Sequence, residues 1–350
     1  MIQKFGEFES KDSEYLLYYA LDWDDNILFM PTVIHMEKLV DGEWIPTDVS
    51  TAEFAQVRGD VANWKLLNGS PQDAFSDFRD DGPSGPDVFI TDMKKAISGG
   101  KFGPSWNDFI ECLSNGSLFA IITARGHESE TMKGGVEWII DNVLTETQLY
   151  NMYNQLLKFA YFFKTDEQYP RILKGKPSEN PLVQEFLNNC DFVGVSAPSR
   201  GGSPSNPEKA KEEALMAFKS KVNEFAKKLG KEAKVGFSDD DLKNVKHIED
   251  LVDNLHHEQF PNIKEIIVKG TKDPLSITKK TRTFETAHQT PGLESSVLKF
   301  TQFGNMTSHL YPQGPDQRQD DKANAVKRAT KYLTKTSKDI LGKNKKKKRG

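Results

Sequence analysis

Tyr15-Leu16-Leu17-Tyr18-Tyr19-Ala20-Leu21-Asp22-Trp23-Asp24-Asp25-Asn26-Ile27-Leu28 carries an uncharged, aromatic and leucine-rich run straight into three crowded carboxylates. A continuous apolar run of this length predicts a strand buried on both faces, as in a parallel sheet. Packing gives no reason to crowd Asp22, Asp24 and Asp25 at its end, since anions that close repel one another. The carboxyl edge of a parallel sheet does, because ligands of α/β folds bind there and Mg²⁺ can offset the charge. On this stretch alone, a strand followed by a solvated acidic turn stays open.

The chain of 350 residues suffices for one large domain or two ordinary ones. Charged residues make up 28% of it and the mean hydropathy is −0.61, so it is polar while keeping enough apolar residues for a core. No apolar run approaches the roughly eighteen residues of a membrane span. Met1-Ile2-Gln3-Lys4-Phe5-Gly6-Glu7 lacks the basic-then-apolar pattern of a signal peptide. Cys112 and Cys190 lie far apart in sequence and belong to no ligand-spaced cluster. That argues against structural zinc or a disulfide framework and fits a reducing, cytoplasmic setting. Lys322 to Gly350 holds twelve Lys or Arg and one Asp, a net +11 in a chain of −4, which leaves residues 1–321 at −15. The expectation is an acidic body with a basic tail.

Outward from the opening stretch, Asp41-Gly42-Glu43 between Val40 and Trp44-Ile45 predicts a hairpin turn. Short helices are expected at 52–55 and 73–78, and a loop at Asp80-Asp81-Gly82-Pro83-Ser84-Gly85-Pro86. Pro104 to Leu113 has helical spacing. Ser117-Leu118-Phe119-Ala120-Ile121-Ile122-Thr123-Ala124-Arg125-Gly126 is a second apolar strand, closing on a hydroxyl and a cation. Helices are expected around 134–140 and over much of 145–189, and a short strand at 191–195. Asn206 with Pro207 opens a long helix that stops at Gly230. Ala233 to Ser238 is a strand running into Asp239-Asp240-Asp241, with a helix from His247 to Leu255 and a strand from Ile263 to Lys269. Strands alternating with helices predict an α/β fold, a Rossmann-like parallel sheet with helices on both faces.

Three of these strands end in Asp22/Asp24, Thr123 and Asp239/Asp240, and in a parallel sheet such ends share one edge. The sequence here resembles the haloacid dehalogenase-like superfamily of phosphohydrolases. The resemblance rests on Asp22-Trp23-Asp24 after an apolar strand, Ile121-Ile122-Thr123, and a Lys near the start of a helix. For that Lys, Lys209 is the first match and Lys211 the reserve. Asp239-Asp240 followed by Asn244-Val245 completes the set. It covers roughly residues 15–28 and 117–270. Where the family usually has Gly-Thr after the second Asp, this chain has Asp25-Asn26.

The resemblance implies that Asp22 takes a phosphoryl group and releases it to water. Asp24 would protonate the leaving oxygen and then deprotonate the water. Thr123 and Lys209 would bind and neutralise the phosphoryl oxygens. Mg²⁺ would be held by Asp22, the Asp24 backbone carbonyl, Asp239 and Asp240. Arg125 is expected to clamp a second anionic group of a phosphorylated substrate; the bland alternative is a structural ion pair.

The expected division is a discontinuous core, 1–29 and 117–270, with a cap-like insert at 30–116 whose Trp44, Trp64, Trp106 and phenylalanines build a small core. A C-terminal extension at 271–321, including a strand at 296–300, and a basic tail at 322–350 follow. Lys345-Lys346-Lys347-Lys348-Arg349 marks nucleic acid as the tail's leading expected partner, through 343–349, with an anionic membrane or acidic protein surface as the alternative. The leading expectation is a Mg²⁺-dependent phosphohydrolase, with a nucleotide or nucleic-acid end as substrate. The rival is a non-enzymatic member, structural or nucleic-acid-associated, since fold does not fix function. The general make-up of the chain also resembles tailed-phage proteins, which would place it in host cytoplasm or a virion.

Overall fold

The computed structural model describes residues 15–159, 175–202, 206–254, 259–271 and 278–283. The lead-in before Tyr15, the strand expected at 296–300 and the basic tail lie outside them.

The apolar run of the opening stretch is strand β1 (Tyr15–Leu21). An antiparallel hairpin follows, β2 (Ile34–Val40) and β3 (Glu43–Val49), then helix α1 (Thr51–Val57), strand β4 (Trp64–Leu66) and the single turn α2 (Pro71–Ala74). Asp41 and Gly42 make the hairpin turn with φ of 51° and 86°. Two consecutive left-handed residues give the twist a two-residue hairpin needs, which is why Asp-Gly stands there. Helices α3 (Asp87–Ser98) and α4 (Trp106–Ser114) lead to β5 (Phe119–Thr123), α5 (Ser129–Asn142), α6 (Glu146–Phe159), α7 (Pro181–Asn189) and β6 (Asp191–Gly194). Next come α8 (Pro207–Leu229), β7 (Glu232–Asp239), α9 (Leu242–Asn254), β8 (Ile263–Gly270) and β9 (Thr278–Thr283).

The main sheet has the order β6-β5-β1-β7-β8-β9. All its pairings are parallel except that of β9, and helices flank it, giving a Rossmann-like α/β fold. β5 is buried along its whole length and β7 nearly so, as expected of strands covered on both faces. Leu21 pairs with Ile121 on one side and Ser238 on the other. The chain therefore moves from β1 outward through β5 and β6, then returns to lay β7 on the opposite flank of β1. That reversal opens a crevice at the carboxyl ends of β1 and β7.

The expected insert at 30–116 divides. Ile34, Met36, Val49, Ala74 and Phe78 form a small separate core, joined by Phe54, Trp64 and Phe75. Phe89, Met93 and Ile97 of α3 and Trp106, Phe109 and Leu113 of α4 belong instead to the main core. Trp106 is thus a core residue of the body, Trp64 is half-buried in the small core, and Trp44 is exposed. The separate unit spans about Ile34 to Phe78, since the apolar faces of α3 and α4 pack into the main core. Among the described residues no helix is long and apolar enough to cross a membrane.

Candidate active site

β1 delivers Asp22 to the crevice, where its backbone N–H donates to the carbonyl of Ser238 (2.9 Å). Trp23 turns into the core against Phe89 and Phe109, which fixes the strand end and leaves Asp22 and Asp24 on the other side. The chain then reverses sharply: Ile27 N–H and Leu28 N–H both donate to the Trp23 carbonyl, and Asp25 takes a φ of 53°. Asn26 is fully buried and links four segments. Its Nδ2 donates to the carbonyls of Asp22 and Ser238 and to Ser238 Oγ, while its Oδ1 accepts from Ser105 and Thr271. The Asp25-Asn26 pair thus places a buried amide where it ties β1 to β7. Asp25 turns toward the insert and accepts from Thr51 Oγ1 (2.7 Å).

Lys211 is the cation at the carboxylates. Its Nζ donates to Asp22 Oδ1 (3.1 Å) and Asp239 Oδ2 (2.8 Å) in a buried bridge between β1 and β7. Lys209, the first match to the motif, is exposed, and its backbone N–H is capped by Asn206. This corrects the assignment, and the reason is helical geometry. Two residues turn an α-helix by about 200°, and Lys211 shares its face with the buried Ala214, Leu215 and Phe218. Asp239 is fixed further by Asn244 Nδ2, which lies 3.1 Å from both its oxygens, and by the Asp241 N–H.

Asp22, Asp239 and Asp240 each offer an oxygen within 4.8 Å of the others. These hard oxygen donors suit a cation such as Mg²⁺ or Ca²⁺, and with all three ionised beside Lys211 the group would carry a net −2. The electrostatics reflect that excess. Burial raises Asp22 well above the usual carboxylate range; Lys211 opposes this, and Asp239 and Asp240 reinforce it. Burial, then Asp239 and Asp25, push Asp240 up to about 7. Burial alone would lower Lys211, but Asp22 and Asp239 outweigh it and hold the ammonium above its ordinary value.

Thr123 ends β5, the strand next to β1, and is buried, its Oγ1 accepting from the Arg125 N–H at 3.4 Å. Arg125 is fully buried, and its guanidinium is committed to Asp24. Its Nε and Nη2 donate to Asp24 Oδ2 and Oδ1, both at 2.7 Å. The structural ion pair, the bland alternative of the sequence, is the arrangement found. Nη2 also donates to Thr32 (2.9 Å), and Nη1 donates to His127 Nε2 (3.3 Å). The guanidinium stacks over Phe78 and Phe89. Since Arg can only donate, His127 Nε2 is the acceptor and its Nδ1–H donates to Asp80 (2.7 Å). Asp80 accepts as well from the Glu128 N–H and Thr131 Oγ1. The loop passes so close to β6 that a Cβ on Gly194 would sit 2.3 Å from the His127 carbonyl oxygen, so only glycine fits there.

Comparison with known protein families, with curated proteins and with solved structures gives no match.

Proposed function

We propose that this chain is a Mg²⁺-dependent phosphohydrolase of the haloacid dehalogenase-like type, working through a phosphoryl group carried on Asp22. One observation carries the reading: Lys211 bridges Asp22 and Asp239 beside Asp240 at the point where the strand order reverses. A carboxylate nucleophile needs a free oxygen and a site that tolerates an incoming dianion. Asp22 Oδ2 accepts no hydrogen bond from the described residues, while Oδ1 is held by Lys211. Attack by Oδ2 splits one difficult hydrolysis into two easier steps. Lys211 neutralises charge on the transferring group, and the Thr123 hydroxyl donates to its oxygens. Mg²⁺, held by Asp22, Asp239, Asp240 and the Asp24 carbonyl, would supply charge neutralisation on the phosphoryl oxygens. A nucleotide or nucleic-acid end is the substrate that a polybasic tail would bring near.

The Arg125 clamp on Asp24 favours the second reading, a member that keeps the fold and binds without turning over, because Asp24 is the expected acid and base. The discriminating experiment measures phosphate release from phosphorylated sugars, nucleotides, acyl phosphates and end-phosphorylated oligonucleotides, with Mg²⁺ or chelator, for wild type and Asp22→Asn. Release that requires Mg²⁺ and is lost in Asp22→Asn is the expected result. Wild type and variant equally inert, with no Mg²⁺ bound, would establish the non-enzymatic reading.

A further inference from the structure

Asp24 is held from one side by a group that cannot let go easily. Both its oxygens accept from the Arg125 fork at 2.7 Å, a bidentate, charge-assisted geometry among the strongest available to side chains. The guanidinium is anchored in turn by Thr32, His127 and the rings of Phe78 and Phe89, with no exposed surface. A general acid must present a proton, on an oxygen aimed at the leaving atom, within hydrogen-bond reach. Here both oxygens are aimed into a group that has only donors.

We propose that Arg125 is a positioning residue that withdraws Asp24 from the leaving group, so that the substrates are acyl phosphates and phosphoric anhydrides rather than alkyl phosphate esters. The inference rests on the reading of Asp22 as nucleophile. Asp22 forms its bond to phosphorus as the bond to the bridging oxygen breaks. That oxygen departs with the electron pair as a carboxylate or phosphate anion, which needs no proton. An alkoxide is far more basic and leaves only with one. Water then attacks phosphorus, the bond to Asp22 breaks with its electrons returning to the carboxylate, and phosphate leaves. One proton of the water stays on the phosphate and the other passes to solvent.

The test compares kcat/KM in Mg²⁺ for acetyl phosphate, ADP, glycerol phosphate and glucose 6-phosphate, with mass detection of a phosphate adduct on Asp22. General-acid assistance is worth about 10²- to 10⁴-fold, so acetyl phosphate and ADP are expected to exceed the alkyl esters by at least about 10²-fold. Arg125→Met should shrink that ratio about tenfold or more by raising the alkyl-ester rate, whereas a merely structural residue would lower all four rates in proportion. If that variant does not fold, Arg125→Lys keeps the charge and loses the fork, with the same expectation. Alkyl esters cleaved as fast as acetyl phosphate, or a proportional loss in the variant, overturn the inference while an adduct on Asp22 upholds the nucleophile. No release and no adduct with any substrate overturn both.

Discussion

Replacing Lys211 with methionine keeps most of the side-chain volume and deletes the charge between Asp22 and Asp239. The ammonium is about as desolvated as a surface-derived cation can be, with a side-chain exposure of 3% against 7% for Asp22 and 0% for Asp239. Removing one partner of such a buried bridge strands the others, and costs about 3–5 kcal/mol. At about 2 °C per kcal/mol for a large domain, Lys211→Met should lower Tm by about 8 °C in chelator. The variant leaves three carboxylates with no internal counter-charge, so a divalent cation should protect it more than wild type. Saturation about a hundredfold above Kd stabilises by about 2.7 kcal/mol, enough to recover more than half the loss. Thermal unfolding by circular dichroism, with chelator and with excess MgCl₂, reads both effects. A variant within about 2 °C of wild type in chelator, or equal protection of both proteins by Mg²⁺, would refute the argument that this bridge offsets the carboxylates' burial.

Further expectations concern the groups around the site. His127 is held at about 4, below its ordinary 6.5, by burial and then by Arg125. The unfolded chain therefore binds a proton that the folded one refuses: the contribution of this group to stability is full above pH 6.5 and falls until pH 4. The loss from this group at pH 5 is about 2 kcal/mol; because the raised Asp240 works in the opposite direction over the same range, it is read as the difference between wild type and His127→Gln in urea unfolding at pH 7 and pH 5. Asn26→Ala strands buried partners on Asp22, Ser105, Ser238 and Thr271, and should cost about 3 kcal/mol or more in the same assay; a cost below about 1 kcal/mol would mean these groups re-pair without it.

Most of the sheet is legible in the sequence because its strands are largely apolar runs ending in polar clusters, uninterrupted from Tyr15 to Leu21 and Leu118 to Ile122, and broken by Lys234 between Ala233 and Asp239. The α8 boundaries follow from Asn206-Pro207 and Gly230, which cap and stop a helix whatever surrounds it. Within α8, the stripe of Ala214, Leu215, Phe218 and Val222 projects back onto Lys211 rather than Lys209, so the signal for the right lysine is present in the spacing. The helix α3 is legible by the same means, with Phe89, Met93, Ala96 and Ile97 at helical intervals, although the Gly/Pro-rich loop before it draws the eye. What local pattern does not carry is the pairing of Arg125 with Asp24, or of His127 with Asp80. Those choices are made by tertiary approach: the insert brings Thr32, Phe78 and Asp80 onto the Arg125 loop. Strand β9, Thr278-Lys279-Lys280-Thr281-Arg282-Thr283, has no apolar face to betray it, and is held as an edge by antiparallel pairing with β8.

The pairing of Leu21 with Ser238 has a consequence for the chain's birth. As synthesis proceeds, β1 emerges before its neighbour β7, which follows only after more than two hundred further residues have been added. Contacts this distant in sequence are slow to form, and an unpaired apolar strand invites association with other chains. The nascent polypeptide must therefore shelter Tyr15 to Leu21 against β5 and α4 while one edge of that strand stays bare. Asp22 meets Asp239 only when β7 closes that edge, so the carboxylate cluster is completed late in assembly, and no ribosome-bound fragment lacking β7 carries it.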